Sequence, residues 1–365
     1  MKLSTTILGA AAFLALAFLQ SVAPLGSNSL AASATDFKKV LEGARKEGKL
    51  IVWVSTPNRE KTHRLLLDAF NKRFGLQTRW EWVAMHPTQS VTRVITEASA
   101  GRVNPDVLGA GGFGQVMKLV ETNLVKAYPW VDVFGKELPN IGEPEGRVVK
   151  ELRGMMLSWF DNTYGVAWNT KMIGDDKIPD RLEQFADPQW QGRLIVNVAG
   201  GSPFDILSLA MGTAKALELA RKIEVTRPIL KKGTPAVNAA LTAGEAPAGL
   251  SSFFNAERAI KNGEPQRFKF FQNYIPVSPL HIYVPEGSPN PNMARLFAAW
   301  LVTEGAPIFE REEIGGRYTD PRSKLAQFIK QRAGKAEMLV PRNLQEVKQV
   351  ESLADELSMM FTGKR

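Results

Sequence analysis

The chain has 365 residues, 46 Lys and Arg against 37 Asp and Glu, a formal charge of +9, three histidines and no cysteine. The missing thiols exclude disulfides, thiolate metal sites, cysteine nucleophiles and a cysteine-linked lipid anchor. The basic residues are scattered among the acids with no long run, so nucleic acid is not expected as a partner, and the length points to two domains able to bury cores without disulfides.

Residues 1–34 have the layout of a secretory signal peptide: Lys2, an apolar stretch from Ile7 to Leu19, then Ala32-Ser33-Ala34 as the small-residue processing site. The apolar run is shorter than the ~20 residues a bilayer span needs, so the expectation is a periplasmic protein processed near Ala34, with no membrane insertion afterwards. The next segments alternate. A β-branched and aromatic run at Lys49–Val54 ends in the turn Ser55-Thr56-Pro57, and a helical pattern follows through Leu65, Leu66, Ala69 and Phe70 to Gly75. A strand over Thr78–Val83, a helix through Val91, Val94 and Ile95, and a short strand at Asp106–Leu108 come next; the glycine-rich loop 109–114 then opens another helix. The pattern fades between Tyr128 and Gly154 and resumes with strands at Tyr164–Trp168 and Arg193–Val196. A single helix is expected over Phe204–Leu217, a strand over Gly249–Phe253, a helix over Asn255–Asn262, a strand over His281–Val284, an apolar helix over Ala294–Thr303 and an amphipathic helix from Leu344. Strand alternating with helix is the α/β signature with a largely parallel sheet, whose ligands sit at the carboxyl ends of the strands.

Tests for chemistry come back empty. His63, His86 and His281 lack second ligands at metal spacing, and there is no HExxH, GxSxG or SxxK motif. The adjacent acids Asp175-Asp176 and Glu312-Glu313 point apart on a helix or turn. No catalytic residue, metal site or cofactor is expected, and the chain is not read as an enzyme. Gly109-Ala110-Gly111-Gly112-Phe113-Gly114 matches the dinucleotide fingerprint, with Asp132 near the acid position, but the strand that would carry that acid is missing. Two readings of the loop remain: backbone N–H groups opening a helix toward an anion, or a tight turn that needs glycine for positive φ.

The ordered set ARKEGKLIVWVST, LLLDAFNKRFG, VTRVITEASAGRVNPDVL, GVAWNTKMI, FADPQWQGRLIV and LTAGEAPAG resembles the ferric-type branch of the extracellular solute-binding proteins of ABC importers, from about Ala44 to Tyr318. DPQWQGRL and DAF…FG are its more specific pieces. The resemblance implies a two-lobed periplasmic-binding-protein-like fold of class II, each lobe a mostly parallel sheet flanked by helices. Two hinge strands would cross near Leu157–Asp161 and Ile275–Leu280. Lobe one would then hold residues 35–158 and 276–318, and lobe two residues 159–275 and 319–365 with the C-terminal helix. It also implies closure on a small-molecule ligand as a monomer, and docking to the permease subunits of an ABC transporter.

Ferric-ion members of that branch use a histidine, a glutamate and two adjacent tyrosines; by register those positions are Asn58, Gly111 and Phe253-Phe254. None is an anionic or imidazole ligand, and ferric iron wants hard, deprotonated oxygen, so bare iron is not the expected solute. The same loops offer Ser55, Thr56 and Asn58 after the first strand, backbone donors at Gly111 and Gly112, a second oxyanion position at Gly201 and Ser202, and hydroxyls at Ser251 and Ser252. Trp159, Phe253 and Phe254 would supply apolar walls, with core packing as the alternative for the phenylalanines. The expected solute is a small organic anion with an apolar or flat part. The competing readings are a ligand-presenting sensor and, with less support, a ferric-iron or iron-chelate binder or a periplasmic enzyme on the same fold.

Overall fold

The computed structural model describes residues 25–57 and 59–363. The expected leader falls largely outside them, and its processing point at Ala34 lies within the first helix. Among the described residues no helix is long and apolar enough to cross a membrane.

Helix α1 (Leu25–Glu47) leads into β1 (Lys49–Val54), α2 (Glu60–Phe74), β2 (Arg79–Ala84), α3 (Pro87–Ser99), β3 (Val107–Gly111) and α4 (Phe113–Glu121). Short helices α5 (Trp130–Phe134) and α6 (Gly142–Gly146) fill the stretch of faded periodicity before the long strand β4 (Leu157–Asn169). Then come β5 (Leu194–Asn197), α7 (Phe204–Met211), α8 (Thr213–Val225), β6 (Ile229–Lys231), α9 (Thr234–Thr242), β7 (Ala248–Ser252), α10 (Phe253–Lys261) and β8 (Gln266–Lys269). Strand β9 (Tyr274–Tyr283) is followed by α11 (Pro291–Leu301), α12 (Ala306–Glu313), α13 (Lys324–Arg332), β10 (Glu337–Leu339) and α14 (Leu344–Thr362).

The strands run in the order β2-β1-β3-β9-β4-β7-β5-β6, with β8 on β4 and β10 on β9. β1 pairs in parallel with β2 and β3, and β5 in parallel with β6 and β7. Between these two sets run the antiparallel β4 and β9, in register from Leu157↔Ile282 to Thr163↔Val277. β4 then leaves β9 and pairs with β7 from Tyr164↔Ser252 onward. One strand thus serves both sheets, and the result is a two-lobed α/β fold joined by two crossing strands.

The apolar run of β1 is explained by cover on both faces, the rule for parallel strands between helix layers. Leu50, Val52 and Val54 join Leu66 and Phe70 of α2 and Phe297 and Trp300 of α11, whereas Trp53 turns to Val91, Val94 and Leu108 on the other side. Lobe two repeats the plan with Leu194, Val196, Phe204, Leu219, Ile223 and Leu250 in one cluster and Ile195, Val237, Leu241 and Phe253 in another. Each such side chain contributes about 1.5–3 kcal/mol as an upper estimate.

Two boundaries differ from expectation. The helix expected over 204–217 is two helices, because Gly212, at φ 83°, breaks the chain between α7 and α8. The strand expected to end at Phe253 stops at Ser252, which is the N-cap of α10, so the two phenylalanines open a helix.

Candidate functional site

The loops after β1 and β3 lie on one side of the crossing strands β4 and β9, and those after β5, β6 and β7 on the other. Ser278 of β9, paired with Asn162 of β4, lies beneath Gly112 of lobe one, where a Cβ would sit 3.7 Å from its Oγ. On the lobe-two side Tyr164 is buried beside Ser202 and Asn162, and burial raises its pKa. At the outer edge Lys232, after β6, adds its charge to burial in depressing the imidazole of His86, after β2.

The wall that lobe two presents is made of neutral polar groups at strand ends and helix starts. Asn255 Nδ2 donates to Thr234 Oγ1 at 2.8 Å and to Ser252 Oγ at 2.9 Å, tying the first turns of α9 and α10 together. Asn197 Oδ1 accepts from the backbone N–H of Gly233 at 2.8 Å and of Ala199 at 2.9 Å, fixing the loops after β5 and β6. All four side chains are buried. Sequence reasoning named Ser252 but missed Asn197, Thr234 and Asn255. Their signal was available as Asn, Thr and Ser at the junctions of short apolar runs with helices, where such residues satisfy orphan backbone groups.

Two positions expected to receive an oxyanion already hold carboxylates of the chain itself. At the start of α7, Ser202 Oγ donates to Asp205 Oδ2 at 2.9 Å and the Ile206 N–H donates to Oδ1 at 2.8 Å. Burial outweighs these bonds and pushes the Asp205 carboxyl up to about 7. Gly201 lies under α14, where a Cβ would meet Leu357 Cδ1 at 2.9 Å. At the start of α4 the Gly112 N–H donates to Gln115 Oε1 at 2.9 Å, and the Gly114 N–H donates to Glu351 Oε1 of α14 at 2.9 Å. Burial raises the Glu351 carboxyl as well.

The glycine loop is also built differently from either reading offered for it. None of Gly109, Gly111, Gly112 and Gly114 has positive φ; Ala110 does, at 60°. Glycine is required there by close approach: a Cβ on Gly114 would collide with the Glu351 carboxylate, and one on Gly111 would lie 3.0 Å from Tyr283 Oη.

The other named residues divide. Thr56 Oγ1, after β1, is buried without a partner among the described residues, Ser55 beside it is half-buried, and Asn58 lies outside the described residues. Ser251 turns inward and donates to Asn238 Oδ1 within lobe two. Trp159 is 1% exposed and packs on Phe160 and Phe309, with ring centroids 5.2 and 4.7 Å away, so it is buried core beside the crossing strands rather than a cleft floor. Phe253 packs among Phe268, Phe270 and Phe328 inside lobe two. Phe254 instead faces the junction of the lobes, 5.5 Å from Phe160, with the Arg258 guanidinium 4.4 Å over its ring. The helical start of α10 explains the split, since neighbours on a helix point about 100° apart. His281 is fully buried, and desolvation pushes it down to about 3, so it is a neutral core residue at Gly111. Among the described residues no group of three or more His, Asp or Glu is placed to hold a metal ion.

The profile of the family described as bacterial extracellular solute-binding protein matches residues 55–306. No curated protein matches. Among solved structures, iron-bound HitA from Pseudomonas aeruginosa superposes with a TM-score of 0.62 at 18% identity, over 86% of this chain and 98% of its own. AfuA from Actinobacillus pleuropneumoniae with exogenous fructose-6-phosphate gives 0.63 at 15% identity, covering 87% of this chain and 98% of that one. AgtB from A. tumefacien R10 in complex with agropinic acid gives 0.60 at 16% identity, with coverage of 87% and 98%. At these identities the likeness establishes the fold alone.

Proposed function

This chain belongs to the bacterial extracellular solute-binding protein family, and from that premise we propose that it is the periplasmic receptor of an ABC importer, capturing a small organic anion in the interlobe cleft. The observation that carries the choice of ligand is the lobe-two wall of Thr234, Ser252 and Asn255, uncharged groups at the first turns of α9 and α10. Such donors at helix N-termini favour negative charge through the aligned backbone dipoles. The carboxylates that would oppose an anion, Asp205 and Glu351, are turned into hydrogen bonds of their own. Two fold relatives are named with fructose-6-phosphate and with agropinic acid, which supports an organic anion as the solute.

The competing solute is bare ferric iron, the cargo named for HitA. Against it stand Gly111, Phe253 and Phe254, which offer no anionic oxygen where the ferric-type pattern needs one. Closure is read with lobe one as residues 35–158 and 276–318 and lobe two as 159–275 and 319–365. The two parallel sets of strands on either side of the crossing strands β4 and β9 support two lobes. Export with removal of the leader near Ala34 completes the reading.

The test is a thermal-shift screen of the protein against organic acids, phosphonates, sugar phosphates, amines and ferric salts. A ligand at a hundred times its dissociation constant adds about 2.7 kcal/mol of stability. A shift from an organic acid or phosphate ester supports the proposal; a shift from ferric salt or amines alone overturns its choice of ligand.

A further inference from the structure

Glu313, at the end of α12 in lobe one, is 1% exposed, and three groups from both lobes converge on it. Arg59 Nε and Thr62 Oγ1, at the start of α2 in lobe one, each donate to its Oε1 at 2.9 Å. Arg258 Nη2, on α10 in lobe two, donates to its Oε2 at 3.0 Å. The next carboxylate along the chain, Glu312, is turned to Arg311 at 3.0 Å. Two guanidinium groups therefore share one carboxylate, and the group of three keeps a positive charge in excess.

Their positions in the fold are those of ligand contacts. Arg59 is the N-cap of α2, in the strand–helix loop that also carries Ser55 and Thr56, and Arg258 lies one turn beyond Phe254, on the same face of α10. Arg258 Nε is buried without a hydrogen-bond partner among the described residues. A buried charged donor left unpaired is expensive, which makes it unusual in a finished structure. Stacking over Phe254 holds the guanidinium plane before any ligand arrives.

We propose that Arg59 and Arg258 form an anion clamp with one arm from each lobe, in which Glu313 orients the arms, Phe254 is the apolar wall, and an oxyanion of the ligand takes the solvent-exposed part of the Arg258 guanidinium, whose side chain is 32% exposed. This rests on the organic-anion receptor reading above and names the residues that would grip the charge. Carboxylate and phosphate share the fork-to-oxygen geometry that guanidinium groups bind. Because the arms belong to different lobes, an anion between them stabilises the closed arrangement over the open one.

The experiment is isothermal titration of wild type, Arg258→Gln, Arg258→Lys, Glu313→Gln and the exposed control Arg64→Gln. The probes are citrate, inorganic phosphate and glucose 6-phosphate, and each variant's thermal midpoint without probe serves as the folding check. For the probe that wild type binds best, we expect at least a tenfold loss in Arg258→Gln, partial retention in Arg258→Lys and no change in Arg64→Gln. Glu313→Gln is the discriminating variant: it keeps an oxygen acceptor for the arms but loses the charge that orients them, so it should bind more weakly than wild type yet lose less than Arg258→Gln. A merely structural tie between the lobes would make Glu313→Gln and Arg258→Gln weaken alike, and that overturns the clamp. Wild-type affinity retained in Arg258→Gln overturns it too while leaving the receptor reading intact. Binding of amines or neutral sugars but none of the three anions overturns the anion reading, and the clamp with it.

Discussion

Asp205→Asn replaces the buried carboxyl at the start of α7 with an amide of the same shape. The amide keeps an acceptor for the Ile206 N–H and a polar contact for Ser202, the two partners of the native side chain. The carboxyl titrates at about 7 in the fold against an ordinary value of 3.8, with burial as the leading cause. The sign follows from where the protons sit. Between these two values the folded chain holds a proton that the unfolded chain has released, so stability falls as pH rises. With one pKa unit equal to 1.36 kcal/mol, this group should remove about 2–3 kcal/mol of wild-type stability between pH 5 and pH 8. Urea unfolding of both proteins at pH 5, 6, 7 and 8 measures it. The stability of the Asn variant relative to wild type should rise through that range, flattening above pH 8. A relative stability that does not change with pH would refute the assignment of a raised, solvent-excluded carboxyl at this position.

Four further variants separate core, strap and site. Phe253→Ala should cost about 3–5 kcal/mol, as for other buried aromatic truncations, with a thermal midpoint lowered by roughly 2–4 °C per kcal/mol; affinity for the best anion probe should stay within a few-fold. Phe254→Ala should also cost stability, since its ring lies in the core cluster with Phe160, but it should weaken binding as well, because its ring carries the Arg258 guanidinium. Equal effects of the two truncations would remove the distinction. Gly114→Ala drives a Cβ into the Glu351 carboxylate and should loosen α14, seen as faster amide exchange in residues 344–362; unchanged exchange would show that the helix is held without this contact. Ser252→Ala combined with Thr234→Val removes two hydroxyls from the lobe-two wall and should lower affinity for citrate or a sugar phosphate at least tenfold, about 1.4 kcal/mol, whereas unchanged affinity would place the anion elsewhere.

The alternation of strand and helix was legible because both periodicities were strong. The run Leu50–Val54 is buried on both faces, and Gly75 closes α2 in the left-handed region at φ 62°. The misread boundaries were places where composition favoured both states. Phe204 to Leu217 is apolar at helical spacing throughout, and only the backbone at Gly212 divides it. Phe253 and Phe254 suit a strand by propensity, but Ser252 before them takes extended φ/ψ and starts the helix. That one-residue shift sends the two rings into different core clusters, Phe253 among the lobe-two phenylalanines and Phe254 against Phe160 at the crossing strands.

The site was less legible because its decisive contacts are non-local. Gly111, Gly112, Gly201 and Ser202 were read as free anion positions from their local pattern, a glycine turn opening a helix. What fills those positions comes from elsewhere: Glu351 reaches the Gly114 N–H from a helix more than two hundred residues away, and α14 also covers Gly201. A helix N-terminus is a property of a segment, whereas its availability is a property of the whole fold. The starts of α4 and α7 are neutralised by Glu351 and Asp205, and that occupation is itself informative. It leaves the first turns of α9 and α10, with Arg258 on the second of them, as the positive region of lobe two. Arg258 went unnamed for the same reason. In sequence it is one basic residue on an amphipathic helix. Only the packing that brings Glu313 and Arg59 to it from lobe one turns it into a shared charge at the junction of the lobes.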